Sequence, residues 1–134
     1  MSVENARWLR RLDVLYDVPA VVHFASFEPL LGDLGDITAY LPGLDWGIIG
    51  GESGPQRRLM DVAWLERLVV QCQAADVAVW VKQASAYRDG QQGSIPGALW
   101  RLKALPQPQR IAAEHRQLSL FSTGAERVLG SEGS

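Results

Sequence analysis

Three short apolar runs, separated by stretches with helical spacing, constrain the fold of this chain more than any other feature. The runs are residues 21–27, 45–50 and 77–81: the first is nearly continuous in apolar side chains, the second combines Trp46, Ile48 and Ile49 with glycine, and the third is wholly apolar. Short runs without polar alternation are typical of strands buried on both faces, as in a parallel sheet. Polar or glycine-rich segments follow each run, so each run predicts a strand that ends in a loop.

The segments around these runs carry helical periodicity. Residues 5–17 show apolar side chains at helical spacing, and Pro19 ends that pattern. After the second run, Asp61 predicts an N-cap, and the helix behind it buries one face formed by Leu65, Leu68, Val69 and Cys72. Shorter helices are predicted near residues 37–41 and 96–105. Alternating strands and helices predict an α/β fold with a parallel sheet and right-handed crossovers.

The composition changes near residue 106. Pro106-Gln107-Pro108 marks a boundary, and the residues after it are mostly polar. We therefore predict a single α/β domain over residues 1–105 and a flexible, proline-started tail over residues 106–134.

Charge and cysteine content exclude several classes of protein. The chain has 13 basic and 15 acidic residues and a net charge of −2, so high-affinity nucleic-acid binding by counterion release is not expected. No apolar run is long enough for a signal peptide or a membrane span. The single cysteine, Cys72, excludes a disulfide framework and a thiolate metal cluster. These features predict a cytoplasmic protein without a metal of its own.

The predicted strand ends carry polar and glycine residues that would share one edge of the sheet, where ligands bind in parallel α/β folds. These residues form a possible ligand rim: Glu28, Gly50, Gly51, Glu52, Ser53, Gly54, Lys82 and Gln83. Glycines in such a position let backbone N–H groups approach a ligand closely. The alternative is that the glycines form a turn and the charged groups neutralise one another at a solvated edge.

No catalytic residues are predicted. A catalytic nucleophile needs an adjacent base, and the sequence shows no such pair. His23 lies within an apolar run and is interpreted as a core histidine with satisfied hydrogen bonds, and His115 as a solvated residue. The five tryptophans fall in separate predicted elements. This favours packing in or over the hydrophobic core and not a surface on which nucleic-acid bases stack.

Four segments stand out together: residues 2–5, 26–32 (Ser-Phe-Glu-Pro-Leu-Leu-Gly), 46–55 (Trp-Gly-Ile-Ile-Gly-Gly-Glu-Ser-Gly-Pro) and 81–83 (Val-Lys-Gln). They resemble a phage-associated family of unknown function, the gp-thirty-seven/gp-sixty-eight proteins. The resemblance covers about residues 2–105. Members of this family look like radical S-adenosylmethionine barrels, so the resemblance implies the C-terminal half of a parallel barrel.

The chain departs from the family at its start, because the cysteine-rich segment that implies an iron–sulfur cluster is missing. The resemblance then implies no cofactor for the chain alone, and S-adenosylmethionine only with a cluster-bearing partner. Half a barrel also leaves sheet edges unpaired, which proteins normally cover. We expect a homodimer, a partner subunit or the folded-back tail to cover the open edge.

The tail contains a pentapeptide that consists of Gln117, Leu118, Ser119, Leu120 and Phe121. It resembles the motif by which bacterial polymerases and repair proteins dock on the DNA sliding clamp. Leu120 and Phe121 would enter an apolar pocket, and the Gln117 amide would form hydrogen bonds at its rim. The alternative is that these apolar side chains form an edge strand or patch on the domain.

Three functions remain as hypotheses. The first is a non-enzymatic interaction protein of a phage or mobile element that docks on the sliding clamp and modulates replication or repair. The second is the C-terminal half of a split or truncated radical S-adenosylmethionine enzyme. The third is a phage inhibitor of a host defence complex, which alanine substitution at Leu120 and Phe121 would leave active.

Overall fold

The computed structural model describes residues 1–106, and its centre is a three-stranded parallel sheet. The strands are β1 (Phe24–Phe27), β2 (Trp46–Gly50) and β3 (Ala78–Gln83), and they lie in this order across the sheet. Phe24 pairs with Trp46, which pairs in turn with Ala78. Helices alternate with the strands along the chain, so the predicted α/β fold with a parallel sheet is confirmed.

β1 is shorter than the apolar run that predicted it, because the residues just before Phe24 do not pair as a regular strand. The backbone N–H of His23 donates to the Asp45 carboxylate at 2.8 Å, where a regular ladder would use a backbone carbonyl. The carbonyl of His23 accepts from the Asp45 N–H at 2.9 Å. His23 is half-buried, and its Nε2 atom lies 2.7 Å from the Val18 carbonyl oxygen, so one ring nitrogen has a hydrogen-bond partner and the side chain lies beside the core and not within it.

The helices largely follow the predicted positions. The first segment forms a 3-10 turn (Ala6–Trp8) and then α1 (Arg10–Tyr16), where one helix was predicted. A second 3-10 turn spans Thr38–Tyr40. α2 (Val62–Ala74) begins at the predicted N-cap, where Asp61 accepts from the Ala63 N–H at 2.8 Å. None of the helices formed by residues 1–106 has the length and apolar character that a membrane crossing requires.

The last predicted helix is wrong over most of its length. Only α3 (Gly97–Trp100) is helical, and Lys103 forms an antiparallel bridge with Trp80 of β3. The Val81 N–H donates to the Leu102 carbonyl at 2.8 Å, and the Ala104 N–H donates to the Val79 carbonyl at 2.9 Å. Residues 102–104 therefore extend the sheet at the β3 edge, because pairing with an exposed edge satisfies backbone groups on both segments.

The N-terminal residues extend the sheet at the opposite edge. Ser2 forms a parallel bridge with Ser26 of β1. The Val3 N–H donates to the Ser26 carbonyl at 2.9 Å, and the Ser26 N–H donates to the Met1 carbonyl at 2.7 Å. Val3 is fully buried, so this short segment is part of the folded domain.

One face of the sheet packs against α2 and forms the core. Leu65, Leu68, Val69 and Cys72 from α2 are all at most 2% exposed, as the sequence predicts for this helix. They share one apolar cluster with Phe27, Ile49 and Val81 of the strands. Burial of a side chain of this size stabilises the folded state by about 1.5–3 kcal/mol.

The other face of the sheet, here called the open face, is less buried. Strand alternation places the following residues on it: Phe24, Ser26, Trp46, Ile48, Ala78, Trp80 and Lys82. Phe24 is 43% exposed, and the other apolar residues of this face are half-buried, whereas their strand neighbours are buried. Trp46 packs against Phe24 with a ring-centroid distance of 5.8 Å.

Candidate functional site at the carboxyl edge of the sheet

The residues of the predicted rim all lie where the three strands end. Glu28 follows β1, Gly50 is the last residue of β2, and Lys82 and Gln83 end β3. Residues 51–54 form the loop directly after β2. Parallel neighbouring strands end at the same edge of a sheet, so the fold brings these residues together. Their contacts divide them into three groups with different roles.

The first group is an ion pair that joins the two outer strands. Lys82 Nζ lies 2.9 Å from Glu28 Oε1, and the pair passes over the end of β2 because β2 lies between β1 and β3. The Lys82 side chain is 50% exposed and the Glu28 side chain is 19% exposed. Each charge is therefore partly neutralised by the other but remains accessible to a ligand on the open face.

The second group is Gln83, whose side chain is committed to the backbone. Gln83 is only 3% exposed. Its amide nitrogen donates to the Gly51 carbonyl at 2.8 Å, and its amide oxygen accepts from the Gly90 N–H at 3.0 Å. Gln83 thus holds the loop after β3 against the loop after β2, and the structure assigns it a positioning role.

The third group comprises Glu52 and Ser53, which bind neighbouring side chains. The Glu52 carboxylate accepts from the Arg58 guanidinium at 2.5 Å, and hydrogen bonds from Arg58 lower the pKa of Glu52. The Ser53 hydroxyl donates to the Asp89 carboxylate. A ligand at this part of the edge would have to displace Arg58 or Asp89, so these contacts agree with the interpretation of a self-neutralised edge.

Glycine at position 51 is required by close packing of the two loops. A Cβ atom at Gly51 would lie 2.5 Å from the Ser85 backbone nitrogen and 2.6 Å from the Ser85 hydroxyl. That hydroxyl also accepts from the Met60 N–H at 2.7 Å and donates to the Arg58 carbonyl at 3.2 Å. Gly51 therefore permits close contact between the loop after β2 and the loop after β3.

Several residues at this edge were missed by sequence reasoning. Arg58 and Ser85 organise the loops, and Arg57 donates from its terminal nitrogen to the Gly54 carbonyl at 3.1 Å. The Arg57 Nε atom is buried and has no hydrogen-bond partner. Arg58 follows Glu52 by six positions, which is a weak signal for a loop ion pair. Ser85 and Asp89 lie far along the chain, and no local pattern connects them to residues 51–54.

The cysteine and the metal-ligand residues do not form a reactive centre in the described part of the chain. Within residues 1–106, no group of three His, Cys, Asp or Glu side chains is placed to hold a metal ion. Cys72 is fully buried, and burial raises the pKa of its thiol to about 12, so the thiol stays protonated at neutral pH. The protonated thiol is a weak nucleophile and a poor metal ligand.

The clamp-binding-like motif, Gln117 to Phe121, lies outside the described residues, as does His115. The described chain ends at Pro106, and ten residues separate Pro106 from Gln117. The residues just before Pro106 are anchored to the sheet, because the Trp46 indole N–H donates to the Ala104 carbonyl at 2.9 Å.

Comparison with known proteins gives one family match. A family model described as "Protein of unknown function (DUF5131)" matches residues 1–124. The searches among curated proteins and among solved structures gave no significant match.

Proposed function

The chain belongs to this family of unknown function, and we propose that it is an interaction protein that docks on the bacterial DNA sliding clamp through Gln117 to Phe121. The observation that supports the proposal is the complete match of five consecutive residues, Gln-Leu-Ser-Leu-Phe, to the clamp-binding pentapeptide. At average residue frequencies, such a match arises by chance in roughly one chain in a few thousand of this length.

The chemistry of the pentapeptide suits a pocket that accepts a short segment. A leucine and a phenylalanine provide a compact apolar anchor, and short peptide motifs of this kind gain most of their affinity from one or two such anchors. The Gln117 side chain can donate and accept hydrogen bonds at the rim of the pocket. The proposal therefore assigns affinity mainly to Leu120 and Phe121.

The position of the motif is compatible with docking while the domain stays folded. A segment of ten residues between Pro106 and Gln117 spans at most about 40 Å when extended. The motif can thus enter a clamp pocket while the α/β domain lies beside the clamp. Docking would bring the domain to sites of replication or repair, or would occupy the pocket that host polymerases use.

Calorimetric titration of the full chain into a bacterial sliding clamp tests the proposal. We expect a Kd in the micromolar range, about −8 kcal/mol, for the unmodified chain. Leu120→Ala/Phe121→Ala should abolish the heat of binding, because it removes the apolar anchor. Ser119→Asp should retain binding, since the clamp motif accepts either residue. Val128→Ala/Leu129→Ala is the matched control, because it removes apolar side chains outside the motif. Absence of binding to a cognate clamp would contradict the proposal.

A second candidate function is the C-terminal half of a radical S-adenosylmethionine enzyme from a phage-type family, completed by another polypeptide. The parallel pairing of residues 1–3 with β1 and the accessible Glu28–Lys82 pair on the open face favour it. Cys72 does not fit a cluster ligand, because it is buried between α2 and the sheet. The cluster would therefore have to be held entirely by the partner.

Co-expression with a cysteine-rich polypeptide encoded just upstream tests this second candidate. Stable co-purification of the two chains, with iron bound to the complex, would support it. Lys82→Met should then weaken S-adenosylmethionine binding to the complex without preventing assembly, because half of the Lys82 side chain is exposed. If the two chains purify separately, this candidate is rejected.

A further inference from the structure

The open face carries more exposed aromatic surface than a parallel α/β sheet normally leaves uncovered. Register pairing aligns Phe24 with Trp46, and Ser26 with Ile48 and Trp80. Parallel sheets occur almost only with both faces covered, because their crossover connections place other elements there. The half-buried state of Trp46 and Trp80, and the 43% exposure of Phe24, indicate a face that still lacks a cover.

The described chain ends beside this face. Lys103 pairs with Trp80, and its ammonium group lies 5.7 Å from the centre of the Trp80 ring. The Trp46 side chain, on the same face, donates to the Ala104 carbonyl at 2.9 Å. The residues after Pro106 therefore start from the rim of the open face.

The remaining segment is long enough to cover the face. Residues 107–134 comprise 28 residues. Crossing from β3 to β1 takes two strand spacings, about 10 Å, which three or four extended residues can span. The eleven residues from Gln107 to Gln117 are enough chain for Leu118, Leu120 and Phe121 to reach Trp46 and Phe24. Phe121 is the one Phe, Trp or Tyr residue in the sequence after Pro106.

A second copy of the chain is a weaker occupant. Three strands of about five residues each present a patch of roughly 14 by 16 Å, or a little over 200 Å². A stable protein–protein interface needs about 800 Å² from each partner. The tethered segment needs no such area, because its tether supplies a high effective concentration.

We infer that the C-terminal segment of the same chain covers the open face, with Leu118, Leu120 and Phe121 seated against Phe24, Trp46 and Trp80. If the same side chains also dock on the clamp, as the proposed function states, they cannot contact the open face and the clamp pocket at the same time. This competition rests on the proposed function, whereas the covering contact does not. Clamp docking then uncovers the open face. The apparent clamp affinity equals the intrinsic affinity of the motif multiplied by the fraction of molecules in which the face is uncovered.

Solvent paramagnetic relaxation enhancement of the tryptophan indole N–H signals tests the covering contact. It is measured by NMR on the full chain without clamp. A soluble paramagnetic agent should broaden the Trp80 indole signal several-fold more in Leu120→Ala/Phe121→Ala than in the unmodified chain. Val128→Ala/Leu129→Ala should behave like the unmodified chain. The Trp64 signal, from α2 outside the open face, should be the same in all three proteins.

Two results would overturn the inference. One is equal broadening of the Trp80 signal in the unmodified chain and the motif variant. The other is protection that rises with protein concentration, which would identify a second copy as the cover. Both are measured without clamp, so they are independent of whether clamp binding occurs.

A complementary measurement connects the covering contact to clamp binding. Phe24→Ser removes an aromatic contact at an exposed position, so the domain should fold, and its clamp affinity should rise several-fold because the covered state is weakened. An unchanged affinity, in a variant that still binds the clamp, would contradict competition between the two contacts. If the unmodified chain does not bind the clamp at all, the proposed function is rejected. The NMR measurement without clamp then decides whether the covering contact exists.

Discussion

At the scale of single residues, Gly51 shows the strongest steric requirement at the carboxyl edge. A side chain there would collide with the Ser85 backbone at 2.5 Å, and backbone cannot move as cheaply as a flexible side chain. We expect Gly51→Ala to lower the free energy of unfolding by about 1–3 kcal/mol, as overpacking does in other tight sites. Urea denaturation measures the change.

Gly97→Ala is the matched control for this substitution. Gly97 begins α3, and the nearest atom to an added Cβ would be 3.7 Å away, in the Arg101 side chain. Alanine favours the helix over glycine, so this variant should be neutral or slightly more stable. If Gly51→Ala were as stable as Gly97→Ala, the two loops could not pack as closely as described.

Two weakly acidic groups, the buried Cys72 thiol and the half-buried Tyr16 hydroxyl, predict loss of stability at high pH. Burial raises the pKa of the Cys72 thiol from 9.0 to about 12, and burial, followed by the nearby Asp13 and Asp45 charges, raises the pKa of Tyr16 from 10.0 to about 12. Between pH 9 and 12 the unfolded chain therefore loses protons that the folded chain retains. The free energy of unfolding should fall over this range, by up to about 1.4 kcal/mol per pH unit for the Cys72 thiol and by less for the half-buried Tyr16, whose interactions are screened by solvent.

Unfolding curves at pH 8 to 11 check this prediction, with Cys72→Ala as the comparison. The variant is less stable overall because it leaves a cavity, so the slopes are compared and not the absolute values. Its slope between pH 9 and 10 should be shallower, since the thiol is the first of the two groups to ionise in the unfolded chain. Identical slopes would show that the thiol is not buried in the folded protein.

At the scale of elements, α2 depends on its N-cap. The Asp61 carboxylate accepts from the Ala63 N–H at 2.8 Å and satisfies a backbone donor that the helix itself leaves unpaired. Asp61→Ala should lower the free energy of unfolding by about 1 kcal/mol, whereas Asp61→Ser should retain most of it. Thermal and urea unfolding of the two variants distinguish loss of the cap from loss of charge.

The sequence predicted some elements well because their signals are local. Asp61 and the apolar spacing from Leu65 to Cys72 belong to one helix, so a short window of sequence contains all the information needed. Residues 102–104 were predicted as helix, and their partner, β3, lies more than twenty positions earlier. Pairing with a distant edge overrides local propensity, and single-sequence patterns do not record it.

The same distinction applies to the candidate site. The strand ends could be predicted, so the residues of the rim could be named in advance. Their partners could not, because Asp89 and Ser85 reach the Gly51–Ser53 loop through the tertiary fold. Gln83 illustrates the limit: its position at a strand end was predicted, but its burial between two loops depends on contacts from residues 51 and 90.

At the scale of the whole molecule, the two terminal segments of the described chain hold opposite edges of the sheet with different strength. Val3 is fully buried, whereas Leu105 beyond the other edge is 59% exposed. Native-state hydrogen exchange should therefore show the Val3 and Ser26 amides opening only with global unfolding. The Ala104 amide should exchange faster through local opening. Equal exchange at the two edges would contradict this asymmetry.

The burial of Cys72 has a practical consequence for work on this protein. It is the single cysteine of the chain, and it is fully buried where α2 packs against the sheet. A cysteine introduced at an exposed position such as Ser94 would be the one thiol accessible to maleimide dyes under native conditions. Site-specific fluorophores for distance measurements can thus be attached without first replacing Cys72, and the wild-type chain serves as the unlabelled blank.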